Sequence, residues 1–285
     1  MLESPAYPIV FTAVLATVLV VLLQVTLRVA NKDDHLKEAL AKGNVARALL
    51  HVGDVLSVFL IAAGSVSSCV HAEDFKADAL WAAVFGVAAT VLYGVVSRLG
   101  MRKLLKGKMI VELDRGNEAA GVAAASHAIA TGIITAKAIG GDDLQSLGLS
   151  AAFFALAQLT LHLYVGLFRA LTSYDDAEEI LGENLAAALS YAGVTIALGL
   201  IVGRAVEGNF TGWASSLQAY GIALVYGLGL YVVRQVVVQS VILGAGFSLY
   251  KGKLDEAIGR ERNVAMGALE AIAYVATALA LMRIG

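Results

Sequence analysis

The sequence predicts an all-α polytopic membrane protein whose eight transmembrane helices form four parallel two-helix repeats. Three observations carry that prediction: an apolar composition, apolar runs of bilayer length, and one short motif that recurs four times. Hydrophobic residues make up 59% of the 285-residue chain and charged residues 15%, with a mean hydropathy of +0.76, far outside the range of an ordinary soluble domain. Runs of about 20 residues, enough to cross roughly 30 Å of hydrocarbon as helices, lie near 8–30, 44–68, 79–101, 118–139, 145–169, 185–206, 217–248 and 264–283. None alternates in polarity as a barrel strand would.

The first run follows MLESPAYP, which has no basic region, and it is too long for a signal-peptide core, so it is expected to be retained. Connections after the odd-numbered runs hold fifteen Lys and Arg, including Arg28, Lys32, Arg98 and Arg169; the opposite side holds only Lys76, Lys137, Arg204 and Arg283. By the positive-inside rule the basic loops face the cytoplasm and both termini lie outside. Topology accounts for these short basic loops, and no nucleic-acid partner is expected. The single Cys69 cannot form an internal disulfide and reads as a small apolar residue.

The motif opens each even-numbered run: GNVARA at 43–48, GNEAAG at 116–121, ENLAAA at 183–188 and RNVAMG at 262–267. Its Asn residues, Asn44, Asn117, Asn184 and Asn263, stand 73, 67 and 79 positions apart. Asn is a strong N-cap, so each is expected to satisfy a free amide of the first helical turn; a headgroup or substrate contact is the alternative. Ahead of each Asn lies an amphipathic segment, DDHLKEALAKG, IVELDRG, DDAEEILGE or KLDEAIGRER, expected to form a short interfacial helix. At positions two, nine and thirteen after each Asn, eleven of twelve residues are small, Ile272 being the exception. Such stripes let helix backbones approach closely in lipid, so the even helices are expected to be the tightly packed ones.

A glutamate-bearing segment, then N-x-A-x-[AG], then an apolar helix, given twice per four-helix unit, resembles the bacterial membrane family catalogued as domain of unknown function 350. The resemblance covers the whole chain as two tandem domains, 1–140 and 141–285. It implies four helices per domain, a place in the bacterial inner membrane, and no established activity. Arg262 stands where a Gly or small residue is expected before the fourth Asn.

Ionisable residues interrupt the apolar runs. His51 and Asp54 lie seven and ten residues after Asn44; His127 and Glu270 occupy matching positions in the second and fourth repeats. Were the repeats arranged around a common axis, these four would converge, joined by His162 one turn from Gln158 and by Arg234 with Gln235 and Gln239. Intramembrane charges are costly and face a bundle interior or a wet cavity. Three readings stay open: structural pairs, Asp54 with Arg234 for instance; a water-filled or ion-conducting site; and a metal site, for which no one-helix motif such as H-x-x-x-H exists. Arg47 near the membrane boundary is expected to snorkel. The outer stretch HAEDFKAD and the acidic loop DDAEE are expected to be ordinary solvated connections.

No nucleophile–base pair, phosphate loop, haem or flavin signature is readable, and no cofactor is expected. The leading expectation is a non-enzymatic protein that binds or passes a small ion, proton or cationic solute through a polar intramembrane site. The alternatives are a structural or stress-response scaffold that senses lipid or recruits a cytoplasmic partner, and a lipid-acting enzyme.

Overall fold

The computed structural model describes residues 6–30, 36–71, 74–208, 210–248 and 250–284. Pro5, Lys32, the start of DDHLKEALAKG, and Ala72 and Glu73 of HAEDFKAD lie outside the described residues, as does the side chain of Arg28. In chain order the helices are α1 (Ala6–Ala30), α2 (Leu36–Ala41), α3 (Val45–Cys69), α4 (Phe75–Leu104), α5 (Met109–Asp114) and α6 (Glu118–Ala138). They continue with α7 (Leu144–Ala170), α8 (Asp176–Leu181), α9 (Leu185–Val206), α10 (Trp213–Val233), α11 (Lys253–Asp255) and α12 (Val264–Ile284). α10 and α11 each run on as π-helix, through Arg234–Ile242 and Glu256–Arg260. Among the described residues eight helices are long and apolar enough to cross a membrane, and α2, α5, α8 and α11 are the short segments ahead of the motif.

Each motif Asn begins its helix as a cap. Its side-chain oxygen accepts from the backbone N–H three residues on: Arg47 at 2.9 Å, Ala120 at 3.1 Å, Ala187 at 3.2 Å and Met266 at 3.3 Å. The residue before each Asn is left-handed, with φ of 75° at Gly43, 87° at Gly116, 62° at Glu183 and 53° at Arg262. Arg262 therefore keeps the backbone of the motif while departing from its residue type.

The Asn amide does more than cap. Asn44 Nδ2 donates to the carbonyl of Leu113, Asn117 to that of Ile180 and Asn184 to that of Ile258, each at 2.9 Å. Each repeat is thus tied to the short helix of the next. Asn117 also donates to Glu112 and Asn184 to Glu179, at 2.8 and 2.9 Å. Arg47 completes the first tie by pairing with the exposed Asp114 at the end of α5.

The most extensive contacts join α3 to α6, α6 to α9 and α9 to α12. The even helices therefore form a row, and among the described residues α3 shares no substantial contact with α12. The odd helices lie against it, α4 on α3 and α6, α7 on α6 and α9, α10 on α9 and α12. The small stripe explains how closely the row packs. A methyl group added to Gly121 would stand 2.6 Å from Cα of Ala46, and one at Gly199 would stand 2.8 Å from Cα of Ala130. α6 and α9, flanked on both sides, are the most buried spans, and α1 and α12 the least.

Candidate functional site

Because the even helices form a row, the polar residues do not converge on one axis. They separate into three clusters. This corrects the expectation that His51, Asp54, His127 and Glu270 meet, and also the suggested pairing of Asp54 with Arg234.

In the first cluster Asp54 on α3 faces α4. Tyr93 donates to its Oδ1 at 2.7 Å, and Arg98 grips both oxygens, at 3.1 and 2.6 Å. Charge is balanced and both carboxylate oxygens are satisfied, as a buried ion pair requires. His51, half-buried one turn away, has Nδ1 3.3 Å from the Gln24 amide on α1. Arg98 was counted above among the basic residues of a connection, yet it stands within α4.

The second cluster lies between α4, α6 and α7, where the two halves of the chain meet. His127 and His162 are in edge contact, with ring centroids 5.3 Å apart. Gly100 makes room for them: a methyl there would overlap His127 and stand 3.0 Å from Nε2 of His162. Both Nε2 atoms thus border the space that Gly100 leaves. His162 Nδ1 lies 2.7 Å from the Gln158 carbonyl; donation there makes Nε2 the acceptor of the neutral ring. Among the described residues His127 Nε2, Thr131 Oγ1, Ser97 Oγ and both amide atoms of Gln158 are buried without a hydrogen-bond partner. So many orphaned polar atoms within one layer of a bundle is unusual, because buried polar groups are normally satisfied.

α6 sets Thr135, Thr131 and His127 on one face a turn apart, and α7 does the same for Ser150, Phe154, Gln158 and His162. At the end away from the short helices, Ser150 of the α7 face borders a cavity of about 880 Å³, whose lining also includes Ser68, His71, Lys137, Asp142 and Glu207. Burial opposes ionisation of Glu207, but the ammonium of Lys137, 2.6 Å away, and Arg204 hold its carboxyl below the usual range. At the rim Phe153 stacks on Trp213 and meets Phe210 edge-on.

The third cluster ties α10 to α11 and α12. The wholly buried Arg234 donates from Nε to Glu270 and from its terminal nitrogen to Asp255, and lies 5.8 Å over the Tyr231 ring. Asp255 also accepts from Ser173 N–H at 3.1 Å. A related pair sits one repeat earlier, where Arg169 donates to Asp176 at 3.0 Å and lies 5.8 Å over Tyr191. Asp176 and Asp255 both stand eight residues before their Asn, a register from which Asp255 was readable in advance. The acidic stretch 175–179 is therefore not simply solvated: Asp176 is buried against Arg169, and Glu179 receives Asn184.

Among the described residues no group of three or more His, Cys, Asp or Glu is placed to hold a metal ion. Comparison with curated proteins and with solved structures yields no match. A family profile does match, over residues 1–139 and again over 142–284. Those two matches leave almost no residue uncovered, and the chain accordingly belongs to the membrane family described as Domain of Unknown Function (DUF350), carrying it twice in tandem.

Proposed function

We propose that this chain is a non-enzymatic protein of the bacterial inner membrane that binds protons, or another small cation, and passes them along the file between α6 and α7. The observation that supports the reading best is the His127–His162 pair bordering Gly100, with the unpartnered Thr131, Gln158 and Ser97 about one turn away along the same three helices. An imidazole that takes up a proton can pass it to the free ring nitrogen of the neutral imidazole beside it, because each neutral ring keeps one donor and one acceptor nitrogen. With the basic loops in the cytoplasm, the 880 Å³ cavity would open outward and feed the file past Lys137 and Ser150. Asp54 is a poor candidate for the path, since Arg98 and Tyr93 already satisfy it.

The scaffold alternative drew its support from the recurrent Asn motif. That motif is accounted for within the chain, where three of the four Asn residues bond the next repeat.

Flux into proteoliposomes, read with pH-sensitive and cation-sensitive dyes, tests the proposal. Wild-type protein is expected to carry protons or one small cation, and folded His127→Gln and His162→Gln to lower the rate on the order of 100-fold or more, in the range that loss of one proton-transfer group produces. Flux no greater than in empty liposomes for every ion tried would overturn it in favour of the scaffold.

A further inference from the structure

The three clusters differ in one elementary respect, their charge. Asp54 and Arg98 cancel, and the histidine pair needs no counter-charge. Around Arg234, one guanidinium faces two carboxylates, Asp255 and Glu270, all at most 2% exposed. The neighbouring Arg169 is already bridged by Asp176 and Asp175 and has no positive charge to spare. Among the described residues this buried group is therefore one positive charge short, a state that a low-dielectric interior does not tolerate uncompensated.

The hydrogen bonds point the same way. Glu270 Oε1 is held by Arg234, whereas Oε2 has no partner; Gln235 Oε1 and Gln239 Oε1 are also buried and unpartnered. All three are acceptors, and no donor among the described side chains serves them. Gln235 and Gln239 share the buried face of the π-helical segment that carries Arg234, and Arg234 joins that face to Glu270 on α12. In the π-helical segment, residues five apart stack in successive turns, placing Gln239 beneath Arg234 and beside Gln235. Gln239 is steered there by its neighbours, since its amide donates to the Gly246 carbonyl at 3.3 Å and its head fills the space where a side chain at Gly252 would be. A cavity of about 570 Å³ lined by Tyr174, Glu179, Gly252 and Asp255 opens beside the group at the motif end.

We propose that Glu270, Gln235 and Gln239 bind one monovalent hard cation, sodium or potassium, reached through the cavity beside Asp255. One carboxylate and two amide oxygens suit such an ion, which takes oxygen ligands and is readily coordinated where helical geometry is interrupted. The ion restores neutrality to the Arg234 group. It stands on residues other than the histidine file and holds whether or not that file conducts. The charged and titratable groups around the site are Arg234, Tyr231, Asp255, Asp176, Tyr174 and Tyr274.

The test is equilibrium binding, which flux neither replaces nor answers. Purified full-length protein in micelles is melted in NaCl, KCl and choline chloride at equal ionic strength, and titrated with each salt by calorimetry. Sodium or potassium is expected to raise Tm saturably over choline. Glu270→Gln removes that response, Gln235→Leu and Gln239→Leu weaken apparent affinity on the order of tenfold, equivalent to about 1.4 kcal/mol, and His51→Gln leaves it unchanged. Should Glu270→Gln not fold, the two Gln variants decide. Equal melting in all three salts would overturn the proposal. So would stabilisation by acid alone, which would mean that Glu270 holds a proton.

Discussion

Single residues here carry unequal weight according to what their second hydrogen-bonding group meets. Asn184 caps α9 and donates to the Ile258 carbonyl and to Glu179, and it is fully buried. Asn263 caps α12 in the same way, but it is exposed, and among the described residues its amide bonds no other repeat. Asn184→Ala is expected to cost about 2–4 kcal/mol, a cap plus a stranded buried carbonyl, and Asn263→Ala about 1 kcal/mol. Denaturant unfolding in mixed micelles measures the difference, and equal losses would mean that the inter-repeat bonds contribute nothing. Asp176 supplies a pH dependence. Burial pushes its carboxyl up to about 6 from 3.8, against the pull of Arg169. The folded state therefore binds a proton that the unfolded state has released. The stability this group contributes is full below about pH 4 and declines as pH rises to about 6, on the order of 1 kcal/mol per pH unit in that window. Asp176→Asn is expected to flatten that slope, as read from unfolding midpoints across the window.

At the scale of elements, the spans were legible because bilayer thickness fixes their length and the Asn motif marks where four of them start. The seventh shows the limit. Expected near 217–248, it runs from Trp213 to Ile242, because Gly244 and Gly246 take positive φ and stop the helix, which hydropathy cannot register. Partners across the bundle were illegible for a related reason. His162 and Glu270 could be picked out as polar residues in apolar helices, but Asp54 meets Arg98 and Glu270 meets Arg234 only through helix packing that leaves no local pattern. Small-residue spacing, by contrast, predicted the closest helix contacts. Gly199 faces Ala130 in the α6–α9 joint, so Gly199→Val is expected to destabilise by about 1–3 kcal/mol through overpacking. Gly221→Val, where nothing lies within 4 Å, serves as the control in the same unfolding assay and should change little.

For the molecule as a whole, the joint between the two family copies is built like the joints inside each copy. Asn117 reaches Ile180 as Asn44 reaches Leu113 and as Asn184 reaches Ile258. The boundary visible in the sequence near residue 140 thus has no counterpart in the packing of the row. At its two ends the pattern changes: the exposed Ile272 stands where the other repeats have Gly53, Ser126 and Gly193, and the exposed Val52 and Phe59 lie on the free side of α3. Side chains of that size prevent a further helix from docking as closely as α6 docks on α3. The equivalence of the middle joint has a historical reading. A single copy able to associate head to tail would make between two molecules the contact that α6 and α9 make within one. Joining two copies in one gene makes that encounter independent of concentration, and it frees the halves from having to be identical. Under that freedom one half could keep the neutral Asp54–Arg98 pair while the other acquired an unbalanced carboxylate, so gene fusion would have allowed division of labour between two copies of one ancestor.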